Sequence, residues 1–281
     1  MVKKILIVLL SLFVLAAGAY YNVAYVNTKQ ITIREEVLKS EQIAKENDGF
    51  LIAYFADVDL NAYLKQEQID SFTNTIMSFK PDLILFGGDL LDEDAKNDSA
   101  SIQGLKTALS KLDAPYGKFA VYGDQDHARH EEVTSILEEC GFRILNNESI
   151  LICNGPSDYF NLVGIDSLSK GSPDPQSAFM GTNAKCYTIA MSHCPDIFDS
   201  LLGYHVDQLL SAHSRGGQVY FPLLSSFGRD YGCRKYFKGK TTKSGVTLDI
   251  TNGIGRKGSN ARFLADSEVV FYTLKSLSSE N

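Results

Sequence analysis

Five apolar runs of strand length each end in side chains that can bind a metal ion. Asp57 and Asp59 follow "FLIAYFA", Asp89 and Asp92 follow "DLILFGG", and Asp124 and Asp126 follow "KFAVYG". His193 follows "CYTIAM", and His213 follows "VDQLLSA". Carboxylates and imidazoles hold hard and borderline divalent cations. In α/β sheets, ligands bind at the carboxyl ends of strands. A single aspartate at a strand end is most often a turn former or a helix cap. Five such ends argue for one shared site. One residue does not fit: Arg215 stands two positions after His213, in "SAHSRGGQVYFP". A guanidinium stays protonated and offers only donors, so it cannot ligate a cation. The stretch is either a working metal site or one that has been rebuilt.

The elements that would position these residues alternate in type. "FLIAYFA" (Phe50–Ala56), "DLILFGG" (Asp82–Gly88) and "KFAVYG" (Lys118–Gly123) are short buried strands. Between them, Ile69, Phe72, Ile76 and Phe79 keep helix spacing, as do Ile102, Leu105, Leu109 and Leu112. Val133, Ile136, Leu137 and Cys140 mark a third helix that stops at Gly141. This alternation predicts parallel strands joined by right-handed crossovers. The second half is richer in strands, with runs at "FRILNN", "SILICN", "YFNLVGID", "VTLDITNGIG" and "SEVVFYTL" beside those before the two histidines.

The chain of 281 residues is 44% hydrophobic, enough for a sizeable core. A net charge of −7 argues against a general nucleic-acid binder, which needs a basic field. Five scattered cysteines without CxxC spacing read as buried free thiols. At the N-terminus, "MVKK" precedes an apolar run from Ile5 to Val26, about the twenty residues that cross a bilayer as a helix. The expected layout is therefore a transmembrane anchor over 1–26, a polar connector over 27–48 and a catalytic-type domain over 49–281. The leading lysines favour an inside N-terminus, which places the domain outside the cytoplasm at the cell membrane. A cleaved signal peptide, with "AGA" at Ala17–Ala19 as its cleavage site, is the alternative.

The order of the polar motifs resembles the calcineurin-like metallophosphoesterases, in particular their membrane-anchored bacterial branch. "DVD" (Asp57–Asp59), "GDLLD" (Gly88–Asp92), "GDQD" (Gly123–Asp126), "SHCPD" (Ser192–Asp196) and "AHSRGGQ" (Ala212–Gln218) fall in that family's sequence of motifs. The context "KPDLILFGGDLLDE" and "NGIGRKGSNARF" agrees. The resemblance implies an α/β fold, a four-layer sandwich of two mixed central sheets flanked by helices. It implies a divalent metal cofactor, with Mn, Zn, Fe and Mg not distinguished. With the family's chemistry, the membrane anchor makes a phosphorylated small molecule or lipid-linked phosphate the expected substrate by location, and the acidic charge argues against nucleic acid.

Where the family has two metal positions, the resemblance assigns Asp57, Asp59, Asp89 and Arg215 to one and Asp89, Asp124, His193 and His213 to the other. The family's proton-donating histidine is replaced by Gln125. Asp59 and Asp124 can still ligate, but Arg215 would repel a cation and pair with Asp57 or Asp59 instead. The expected site therefore holds one ion. Gln125 and Arg215 occupy the catalytic positions, and Arg215, Gly216 and Gly217 lie where substrate binds. His127 and His130, in "DHARH", could supply a proton if their loop turns inward, although a solvated helix start is the plainer reading. Two functions stand: a degenerate mononuclear phosphoesterase hydrolase, or a non-catalytic member that binds a phosphorylated ligand or a protein at the membrane.

Overall fold

The computed structural model describes residues 2–21, 23–24, 27–153, 155, 159–221 and 230–277. Its first half runs through α1 (Val2–Tyr21), β1 (Ile31–Ser40), β2 (Leu51–Phe55), α2 (Gln66–Ser78), β3 (Leu83–Phe86), α3 (Ser99–Leu109), β4 (Lys118–Ala120), α4 (His130–Glu139) and β5 (Arg143–Ile144). Its second half contains β6 (Glu148–Cys153), β7 (Tyr159–Ile165), α5 (Pro175–Phe179), β8 (Thr188–Ser192), α6 (Phe198–Leu201), β9 (Gln208–Ser211), β10 (Gly239–Lys243), β11 (Val246–Ile250) and β12 (Ser267–Ser276). Among the described residues these strands form two six-stranded sheets. Their orders are β1-β12-β2-β3-β4-β5 and β10-β11-β9-β8-β7-β6. In the first sheet β2 to β5 are parallel, and β12 runs antiparallel to β2. In the second sheet β7, β8, β9 and β11 are parallel, with β6 and β10 antiparallel at the edges.

Strand side chains alternate faces, and the two faces of each sheet join different cores. Ala53, Phe55, Ile84 and Phe86 pack with Phe72 and Ile76 of α2, Leu105 and Leu109 of α3, and Val133 and Leu137 of α4. Ile52, Tyr54, Leu83 and Leu85 point the other way and meet Leu162, Ile189, Met191 and Leu210 of the second sheet. Val163, Ile165, Ala190 and Leu209 then face Ala178 of α5 and Phe198 and Leu201 of α6. The result is helices, sheet, sheet, helices, the four layers that the family resemblance implies. The helices expected from spacing form where expected; Ile69, Phe72 and Ile76 are the buried stripe of α2. The described cysteines are free, and all but Cys153 are buried.

Two sequence expectations change. The segment 27–48, read as a polar connector, contains β1, which pairs with β12 over ten residues. Its pattern was hard to read because it is a half-exposed edge strand carrying Arg34, Glu35, Glu36 and Lys39. Arg34 reaches the buried Asp249 of the second sheet at 2.8 Å and pairs with Glu268 of the adjacent β12 at 3.2 Å. The apolar N-terminal run forms the helix Val2–Tyr21; Asn22, Tyr25 and Val26 lie outside the described residues. Among the described residues, no helix is long and apolar enough to cross a membrane, so the expected transmembrane helix is not found.

The sheet-to-sheet core sets stability. Ile189→Ala, in the buried middle layer, is expected to cost about 2–5 kcal/mol. Ile33→Ala, on a side chain 44% exposed, should cost less than about 0.5 kcal/mol. Urea unfolding of the two variants checks this as a shift in midpoint at constant slope.

Candidate metal centre

Both sheets send their strand ends to one place. From the first come Asp57 and Asp59 after β2, Asp89 after β3 and Asp124 after β4; from the second come His193 after β8, and His213 and Arg215 after β9. Every one of these side chains is buried. Asp57, Asp59, Asp89, His213 and Arg215 all have positive φ, between 45° and 69°. Non-glycine residues seldom adopt that region, and such strain collects at functional sites. The carboxylate loops are drawn together by main-chain bonds: the Asp59 amide donates to the Asp89 carbonyl at 3.0 Å, and the Asp57 amide to the Gly88 carbonyl at 2.9 Å. Gly253 at φ 68° lies so close that a Cβ there would sit 2.5 Å from Asp57 Cβ. Only glycine lets that loop approach.

The cluster divides into two halves. In one half, Asp89, Asp124, His193 and His213 bring one ligand atom each within 4.8 Å of one another. His193 Nε2 lies 3.1 Å from both Asp89 Oδ2 and Asp124 Oδ1, and His213 Nδ1 lies 2.8 Å from Asp124 Oδ1. These contacts are close but out of line for hydrogen bonds. His193 Nε2, His213 Nδ1 and Asp124 Oδ1 are all buried without a hydrogen-bond partner. The opposite ring nitrogens are held by main-chain oxygens: His193 Nδ1 at 2.7 Å from the Gly87 carbonyl, and His213 Nε2 at 3.0 Å from that of Tyr231. Each carbonyl takes the proton on its side and turns a bare nitrogen inward, the arrangement of metal-binding histidines. With protein charges alone, burial works against the charged His213, but the nearness of Asp124 outweighs it and pushes the ring up to about 11. A divalent ion among the same atoms would favour the neutral, ligating form. The donor set fits such an ion.

In the other half, Arg215 fills the space. Its Nε and Nη2 grip Asp59 at 2.6 Å each, Nη2 also donates to Asp89 Oδ2 at 2.8 Å, and Nη1 donates to the His213 carbonyl at 2.7 Å. Four of its five donors are thus committed. Asp59 is tied to arginine and is not free for a cation. Asp57, 3.7 Å from Arg215 Nη2 and 3.8 Å from His193 Nε2, has both oxygens buried without a hydrogen bond. Burial, countered by Arg215 and His193, leaves its carboxyl raised to about 6.

Gln125 lies between the halves. Its Nε2 donates to Asp59 Oδ1 and, at 2.9 Å, to Asp89 Oδ2, while its Oε1 accepts from the Glu93 amide at 3.3 Å. Gly216 and Gly217 direct their N–H groups back into their own turn, to Ser214 Oγ at 3.2 Å and the Ser214 carbonyl at 2.8 Å. His127 turns to Asp166, with Nε2 2.9 Å from Oδ1, and His130 packs on Tyr122 at 4.5 Å between ring centres.

Two features were missed by the sequence reading. Asp126 accepts from the amides of Asp89, Leu90 and Gly123, each at 2.8 Å, and so fixes the second and third loops to each other. Burial and the nearby Asp89 push its carboxyl up to about 7. Arg262, fully buried, donates to the carbonyls of Ala265 at 2.6 Å, Asn252 at 3.0 Å and Arg215 at 3.3 Å. The "NGIGRKGSNARF" stretch marked the position, but nothing in it shows that the arginine faces carbonyls.

No family model matches the chain. The chain is 29% identical over 263 residues to the uncharacterized metallophosphoesterase YkuE of Bacillus subtilis, covering 93% of this chain and 91% of that one. It is 27% identical to the UDP-2,3-diacylglucosamine pyrophosphatase LpxG of Chlamydia muridarum, over 62% of this chain and 66% of that one. Among solved structures, the calcineurin-like phosphoesterase YfkN of Bacillus subtilis aligns with a TM-score of 0.43 at 14% identity, over 80% of this chain and 90% of that one. Along most of its length the chain is thus similar, at under 30% identity, to a protein named as a metallophosphoesterase.

Asp126→Ala would leave three buried amides without an acceptor, at about 1–3 kcal/mol each. A loss of about 3 kcal/mol or more in urea unfolding, with metal affinity reduced at least tenfold by calorimetry, is the expected result.

Proposed function

We propose that the chain hydrolyses a phosphoester or pyrophosphate with one divalent ion, and that its N-terminal segment attaches it to a membrane. The observation that carries the first statement is the set of inward, unpartnered donor atoms on Asp124, His193 and His213 beside Asp89. When bound, the ion supplies a Lewis acid for a phosphoryl oxygen and lowers the pKa of water. Asp89, Asp124, His193 and His213 hold it. Arg215 occupies the second metal position of the family and keeps the charge of Asp59 and Asp89 compensated there. Its one uncommitted Nη1 donor is available for developing phosphoryl charge. Gln125 acts by position, because both hydrogens of its amide nitrogen already serve Asp59 and Asp89.

A second reading, binding of a phosphorylated ligand without turnover, draws on that same Gln125. An amide cannot give up a proton to a leaving group, and general acid help is typically worth about 10²–10⁴-fold. Membrane attachment is supported by α1, where Ile5, Leu6, Leu10, Phe13 and Leu15 are all more than half exposed behind Lys3 and Lys4. The relative LpxG, a UDP-2,3-diacylglucosamine pyrophosphatase, makes a lipid-linked phosphate a fitting substrate class.

Metal and activity are measured together on the full chain in detergent. One metal per chain is expected by elemental mass spectrometry, with phosphodiester or pyrophosphate turnover that EDTA abolishes. His213→Ala should lower turnover at least about 10–100-fold. Asp59→His with Arg215→His should raise the metal content towards two. Metal binding without turnover on monoesters, diesters or pyrophosphates favours the second reading. For attachment, the full chain should resist alkaline carbonate extraction; recovery in the soluble fraction with its N-terminus intact would refute it.

A further inference from the structure

The same loops that carry the carboxylates go on to build a groove. Past Asp59 and Asp89 the two segments run side by side: the Leu60 amide donates to the Leu90 carbonyl at 3.0 Å, and the Asp92 amide to the Leu60 carbonyl at 3.4 Å. They end at Asn61 and Asp92, which are joined by a 2.9 Å hydrogen bond from Asn61 Nδ2 to Asp92 Oδ2. These two residues form one wall of a cavity of about 530 Å³, closed by Tyr63, Lys96, Asn97 and Lys257. Its size falls in the range of small-molecule sites, roughly 300–1,000 Å³. The wall begins two residues from Asp59 in the chain, a separation of at most about 7 Å. On the site side, Lys257 pairs with Glu93 at 3.1 Å, and the Glu93 amide is the donor to Gln125. The groove thus borders the same two loops that carry Asp59 and Asp89.

We infer that this groove is a subsite for a hydroxyl-rich group, a sugar or polyol, carried on the substrate phosphate. The inference rests on the hydrolase or phosphate-binding reading of the metal centre. The lining decides the class. Asp92, Asp94 and Asp98 outnumber Lys96 and Lys257, so a second phosphate is disfavoured. Apart from the Tyr63 ring, the lining offers only Ala62 and Ala95 as apolar side chains, too little for an acyl chain. Carboxylates, amides and a serine offer both donors and acceptors, which hydroxyl groups satisfy in pairs.

The test compares glucose 6-phosphate with methyl phosphate by calorimetry on the manganese-loaded full chain. Both probes carry the same phosphate, and only one carries a sugar. Binding of glucose 6-phosphate at least tenfold tighter is expected in the wild type. Asn97→Trp or Ser101→Trp, each filling the groove from a different wall, should abolish that advantage and leave methyl phosphate unchanged. Equal affinities in the wild type, or an advantage that survives both substitutions, would overturn the subsite. The expected advantage for glucose 6-phosphate, with no turnover of any monoester, diester or pyrophosphate, would overturn only the hydrolase reading and leave the subsite standing. Binding of neither would overturn the subsite and the phosphate site together.

Discussion

The grip of Arg215 on Asp59 and Asp89 is the constraint to which the rest of the site answers. Asp57, Asp59, Asp89 and Asp124 bring four carboxylates into a buried space with two histidines. Uncompensated, such charges repel and force protons onto some of the acids. One guanidinium removes one unit of charge, and one divalent ion two more. Two ions and the guanidinium would set a fixed cation against another at close range in a medium that screens poorly. In the proposed site, Arg215 selects a single ion by occupying the place of the other. Breaking one partner of a buried pair leaves an uncompensated charge and costs about 3–5 kcal/mol, which makes the grip structural as well as chemical.

The same contact ties the two sheets together. Asp59 and Asp89 end strands of the first sheet, and Arg215 follows the last parallel strand before the β10–β11 hairpin of the second. The apolar layer between the sheets, from Tyr54 and Leu85 to Met191 and Leu210, brings their carboxyl ends into register. Residues with positive φ then turn the side chains across the gap. Asp126 and Arg262 hold those turns by saturating main-chain groups, so the site is fixed from below by packing and from the sides by hydrogen bonds.

Much of this was legible in the residues because the parallel strands are buried on both faces. "FLIAYFA" and "DLILFGG" read as strands without any partner being known, and the aspartates after them fall at the site. Edge elements were not legible: β1 mixes Glu, Arg and Lys with Ile and Val, and β10, "GKTTK", is exposed and polar. A period-2 signal fades when neither face is fully buried. The expected arginine–aspartate pair makes its hydrogen bonds on Asp59, with Asp57 3.7 Å away. The distance between strand ends that decides this is a property of packing, not of spacing. Asp126 looked like its neighbour Asp124, and only the fold shows that one faces the cluster and the other faces amides.

The central claim is that one cation and one guanidinium share the space of two cations. Anomalous diffraction at the manganese edge, from crystals of the full chain soaked in excess Mn²⁺, tests it directly. The account predicts one anomalous peak, bounded by Asp89, Asp124, His193 and His213, with Arg215 still paired to Asp59. Two peaks, or a single peak beside Asp59 with Arg215 swung away, would contradict it.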